Sequence, residues 1–151
     1  MAFEIISFAS LLFAGVLAGE EFIIRYGVRD PLGGVEARAQ IRLRQALVRN
    51  MRVKVPTVFG LAFLSGAAAT VGSSGGLVLS LRCAGMLALL TFIFITLTGT
   101  VPINKALLAW DADTPPETWS HSVARWERLD TARAWAAISA FTLFSAAAVL
   151  R

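Results

Sequence analysis

The chain has 151 residues, 56% of them hydrophobic, and a formal net charge of +4 from 14 basic and 10 acidic side chains. Its charges fall between long uncharged stretches, which is a membrane composition, because a soluble domain of this length has nowhere to bury several such stretches. The single cysteine, Cys83, excludes an intrachain disulfide, and with one histidine no Cys/His zinc pattern can be drawn.

A hydrocarbon core of about 30 Å needs roughly 20 mostly apolar helical residues to cross it. Four segments come close: Ile5 to Ile24, Pro56 to Val71, Leu77 to Val101 and Ala134 to Leu150. They predict an all-α chain of one domain, a transmembrane four-helix bundle with cytoplasmic helical extensions over 35–55 and 115–133.

The first segment is read as a span and not as a cleaved signal peptide, because it carries Glu4 and no positive charge ahead of its apolar run. Its GVLAG sets Gly15 and Gly19 on one helical face, suited to close approach by another helix of the bundle or, in a homo-oligomer, by a second copy. Glu20 and Glu21 fall about one turn inside the end of this span. Ionisable side chains at that depth are costly and mark a function or a buried partner, the alternative being a snorkelling pair capped by Arg25.

After Tyr26, the run GVRDPLGG predicts a helix break. Residues 35–55 then contain neither Gly nor Pro, and Arg38, Arg42, Gln45, Arg49 and Arg52 fall on one helical stripe, read as a face toward solvent or lipid phosphates. A nucleic-acid partner is excluded for this basic stretch, which is tethered at a membrane and lacks interleaved aromatic residues. Pro56 kinks or starts the second span, and the short GSSGG joins spans two and three as an antiparallel hairpin.

The third span is expected to end at Val101 and Pro102 and to restart through INKALLAW to Trp110, with Asn104 beside the proline-disrupted backbone. In DADTPPE, Thr114, Pro115 and Glu117 form a capping box that predicts a helix start at Pro115, running on to Leu150. On this last helix Trp119 and Trp126 share a face with Ser122 and Arg133, while His121, Arg125 and Arg128 form the adjacent stripe. The tryptophans suit interface anchors or the walls of an aromatic site. His121 suits a proton carrier or an axial haem ligand.

Twelve arginines and lysines flank the two long loops, against only Arg82 and Arg151 at the other end. The positive-inside rule puts those loops in the cytoplasm and both termini on the non-cytoplasmic side, in a setting such as a bacterial inner membrane. No Walker loop, strand-borne GxGxxG, GxSxG, HExxH or CxxC is present. Catalysis would rest on carboxylate, Arg, Asn, Trp or His side chains, or on a cofactor held without a recognisable motif.

The LAGEEF that ends the first span, the VPINKALLAW after the third and the WSHSVARWERLDTAR entering the fourth resemble, in this order, the anthrone oxygenase-like small membrane proteins. That resemblance implies oxidation of a hydrophobic aromatic, anthrone-like substrate that partitions into the bilayer, by cofactor-free oxygen chemistry. It implies Glu20 or Glu21 as base, with Asn104 and Arg133 or Arg125 stabilising anionic oxygen. Trp119 and Trp126 would contact the ring, and His121 would line the same pocket. Asp130 stands where the pattern often has asparagine. Two other readings remain at this stage: a non-enzymatic membrane subunit binding a lipid, quinone or partner protein, and a haem protein using His121.

Overall fold

The computed structural model describes residues 1–151 and is built from four long helices. They are α1 (Ala2–Gly33), α2 (Ala37–Val71), α3 (Gly76–Ala109) and α4 (Trp119–Val149), each long and apolar enough to cross a membrane. At ~1.5 Å per residue the 35 residues of α2 reach ~52 Å, well beyond the ~30 Å hydrocarbon core. The surplus lies at the end that carries the α1–α2 and α3–α4 connections.

The prolines do not break the helices as expected from the sequence. α1 continues past Tyr26 through Pro31 to Gly33, and its turn Ile24–Val28 is wound as π-helix. α3 passes through Pro102 directly after a second π-helical turn, Thr96–Thr100. A proline lacks an N–H and its ring crowds the carbonyl four residues back. Widening the preceding turn relieves that clash while the chain stays helical. Pro56 likewise sits inside α2.

The start of the last helix also differs from expectation. The Asp111 carboxylate accepts the Asp113 N–H (3.0 Å) and the Thr114 hydroxyl (2.9 Å), so Thr114 is engaged backwards instead of capping. These two donors hold the Asp111 carboxyl below the usual carboxylate range. Pro116 disfavours helical geometry at Pro115, and α4 begins at Trp119.

α4 packs along α3 and α1, and α1 along α2. Apolar burial gives helices in lipid little reason to associate, so close packing must supply it. The core of Ala14, Leu17, Ala18, Ala62, Leu89, Phe92, Ala137, Ala140 and Phe144 is rich in alanine for that reason. The Phe144 ring fills a slot between two glycines: a Cβ on Gly66 would lie 3.0 Å from it and one on Gly85 2.5 Å. Gly15 meets Phe141 in the same way at 3.1 Å, so its small face is used inside the bundle, while Gly19 is exposed. Ile5, Phe8, Val16, Leu87, Phe94 and Leu97 point outward, as suits the bilayer.

Gly75 and Gly76, at φ +61° and +68°, turn the chain between α2 and α3 in a conformation that favours glycine. Both termini share this end, where Arg151 and Arg82 lie 4.1 and 5.1 Å from the centre of the Phe3 ring. The opposite end is tied by polar bonds. Gln45, buried on the otherwise exposed basic stripe of α2, donates to the Leu107 and Trp110 carbonyls, both at 2.9 Å, and so satisfies the open end of α3. Arg38 and Arg42 pair with Asp113. Glu127 of α4 takes Arg44 of α2 at 2.6 Å and Arg29 of α1 at 3.2 Å. Glu127 thus joins the start of α4 to the outer part of α2 through Arg44.

Candidate functional site

Just inside the charged end, the four helices diverge around a cavity of about 430 Å³. This lies within the ~300–1,000 Å³ range of small-molecule sites. α1 contributes Glu20 and Glu21, the widened turn of α3 contributes Thr96 and Thr100, and Asn104 follows one turn later. α4 contributes Trp126, Asp130 and Arg133, whose spacing of four and three residues puts them on one helical face. Leu47, Val48, Met51 and Val55 of α2 form an apolar wall.

Arg133 organises the polar side. It donates through Nη2 to Glu21 Oε1 and through Nη1 to the Thr100 hydroxyl (3.3 Å), with its guanidinium carbon 4.9 Å from the centre of the Phe92 ring. Glu21 is 1% exposed, Thr100 0% and Asp130 1%, so this is a desolvated cluster in which a charge without partners is costly. One oxygen each of Glu20, Glu21 and Asp130 is nevertheless buried without a hydrogen bond. These lone pairs belong to residues that line the cavity.

The Trp126 indole N–H donates to Asn104 Oδ1 at 2.9 Å. Because an indole nitrogen only donates, the asparagine oxygen must be the acceptor, which leaves the Asn104 amide N–H groups for a further acceptor. Trp126 is steadied from outside by Arg44, 5.5 Å from the ring centre, which is itself fixed by Glu127.

The structure thus brings together Glu20, Glu21, Asn104, Trp126 and Arg133, and leaves out three residues expected with them. Trp119 shares the Trp126 stripe but lies two turns further out, packed on the Ile41, Leu107 and Ala112 cluster. His121 and Arg125 project from other faces of α4, are exposed and do not line the cavity. A haem bound in this cavity therefore has no ligand in His121. Thr100, Arg44 and Glu127 went unnoticed in the sequence. Thr100 could have been found from Pro102, since a proline within an apolar helix flags an altered turn just before it, whereas nothing local distinguishes Arg44 from its exposed neighbours.

These features define a small four-helix integral membrane protein with a mixed polar and apolar cavity at one end of the bundle. The anthrone oxygenase family model matches residues 45–143, about two thirds of the chain, and the protein belongs to that family. The match takes in Asn104, Trp126 and Arg133 and lies downstream of Glu20 and Glu21. No curated protein and no solved structure gives a significant match.

Proposed function

We propose that the protein is a membrane oxygenase that converts an anthrone-like aromatic to the corresponding quinone with dioxygen. The observation that carries this reading is the meeting of Glu21, Arg133, Asn104 and Trp126 on one cavity in a chain of the anthrone oxygenase family. An anthrone methylene is acidic because its carbanion is delocalised over the carbonyl and both rings. The protein therefore needs a base, a holder for the ring and stabilisation of negative charge on oxygen.

Glu21 is the base in this reading: Arg133 anchors Oε1 and leaves Oε2 without a partner. Trp126 and the apolar wall of α2 hold the ring, while Arg133 and the free Asn104 amide stabilise the enolate oxygen. Glu20 supports Glu21 as the neighbouring proton acceptor. The carbanion gives one electron to dioxygen, and the resulting carbon radical and superoxide combine and take up a proton to form a hydroperoxide. Loss of water, taking the second methylene hydrogen, leaves the new carbonyl. The balance is anthrone plus O₂ to anthraquinone plus H₂O, with the electrons drawn from the substrate itself.

By the positive-inside rule the charged end faces the cytoplasm and both termini lie across the membrane, as in a bacterial inner membrane. Protein in lipid nanodiscs, given an anthrone under air and under argon, tests the activity. Oxygen-dependent quinone formation, with one O₂ consumed per product, supports it. A rate no greater than that of protein-free nanodiscs overturns it and favours a ligand-binding membrane subunit.

A further inference from the structure

Among the residues that line the cavity, only Arg52, Pro56 and Lys105 are exposed. Arg52 and Pro56 belong to α2 and Lys105 to α3, so the opening lies between these two helices. Gln45 closes α2 onto the end of α3 on one side of this gap, through Leu107 and Trp110. The core around Ala62, Leu89 and Phe92 closes it on the other. The opening is therefore a window in the flank of the bundle, at the level where the basic end begins, and it faces the membrane interface.

Two cations from different helices frame this window, and neither has an anionic partner. Every carboxylate that forms an ion pair does so elsewhere: Asp113 with Arg38 and Arg42, Glu127 with Arg29 and Arg44, Glu21 with Arg133, and Glu4 with the N-terminus. Lys54, the neighbouring lysine on α2, is held by Asn50 at 2.8 Å, whereas Lys105 and Arg52 make no side-chain hydrogen bond. An apolar cavity with a cationic frame fits an apolar molecule whose one anionic substituent remains at the interface.

We propose that Arg52 and Lys105 form a subsite for a carboxylate on the aromatic ligand, so that the preferred substrate is an anionic aromatic acid that enters sideways from the membrane interface. This rests on the oxygenase reading for the identity of the ring and adds to it the charge of the substrate. The two cations act on binding and are remote in role from proton abstraction, so their effect belongs in affinity and KM.

Binding is measured with a redox-inert pair, an anthraquinone carboxylic acid and its methyl ester, by quenching of tryptophan fluorescence in zwitterionic nanodiscs. The wild-type protein is expected to bind the acid about tenfold more tightly than the ester, the sum expected of two partly solvated charge pairs. The double variant Arg52→Gln, Lys105→Gln is expected to bind the acid as weakly as the ester. Equal binding of acid and ester by the wild type, or a preference that survives in the double variant, overturns the proposal. Native mass spectrometry covers the other source of an anion. An anionic phospholipid retained by the wild type, lost from the double variant and not displaced by the acid makes the window a lipid site and also overturns it. Because this readout needs no turnover, it stands apart from the oxygenase reading, which fails separately if the acid binds but the corresponding anthrone acid is not oxidised.

Discussion

Glu21 and Arg133 are 112 residues apart in the chain and form a buried ion pair between α1 and α4, with the second Glu21 oxygen left without a partner. A carboxylate held at one oxygen and free at the other is oriented without being used up. Glu21→Gln keeps the shape and removes the proposed base, so turnover of an anthrone should fall by about 10²–10⁴-fold in a folded protein. Steady-state oxygen uptake, with circular dichroism as the folding control, checks this.

Arg133 makes directed bonds to both Glu21 and Thr100. Arg133→Lys keeps the charge but loses the fork, and activity should drop by about 10²-fold, mainly in kcat. Arg133→Ala strands a buried carboxylate, with an expected loss of about 3–5 kcal/mol in stability. Thermal unfolding in detergent separates the two outcomes, since the lysine variant should unfold close to the wild type.

Trp126→Phe removes the indole N–H that orients Asn104 while retaining an aromatic face. Turnover should fall about tenfold, the weight of one buried hydrogen bond. His121→Ala and Arg125→Ala alter exposed groups outside the cavity, and both variants should stay within about twofold of the wild-type rate.

Gly85 and Gly99 are sites of close helix approach: a Cβ would lie 2.5 Å from Phe144 and 2.8 Å from Leu129, respectively. Alanine at either should cost about 1–3 kcal/mol through overpacking. Gly60→Ala, where a Cβ meets nothing within 4 Å, should be neutral or slightly stabilising. Unfolding midpoints of the three variants decide this.

The turn that precedes α4 carries its own pH dependence. The Asp111 carboxyl titrates below its unfolded value because it accepts from the Asp113 N–H and the Thr114 hydroxyl. That linkage is fully present above the ordinary aspartate value of about 3.9 and is lost as pH falls through the lower, folded value. The protection factor of the Asp113 amide, its exchange rate relative to the intrinsic rate at each pH, should hold down to about pH 4 and fall below it, and Asp111→Asn should remove that fall.

Hydropathy and breaker residues made the four spans legible in the sequence, because bilayer thickness dictates their length. The prolines misled: Pro31 and Pro102 look like stops, yet a membrane penalises open backbone groups enough that the chain widens a turn and stays helical. The depth of Glu20 and Glu21 pointed to the end of the bundle where the cavity lies, and the 126–133 spacing put Trp126 and Arg133 on one face of α4. Trp119 was drawn in because a stripe says nothing of how far along a helix the cavity extends, and His121 and Arg125 because a stripe adjacent to the Trp126 face turns away from the cavity. Arg44 and Glu127 stayed hidden, since an ion pair across 83 residues leaves no trace in either local pattern.

The central claim, that Glu21 removes the methylene proton before oxygen takes part, is tested most directly without oxygen. An anthrone deuterated at its methylene is incubated with the protein in nanodiscs under argon, and washout of deuterium into water is followed by mass spectrometry. Catalysed washout by the wild type, reduced to the protein-free rate in Glu21→Gln, is the predicted result. Washout at the same rate in both proteins, or none in a wild type that still forms quinone under air, would contradict it.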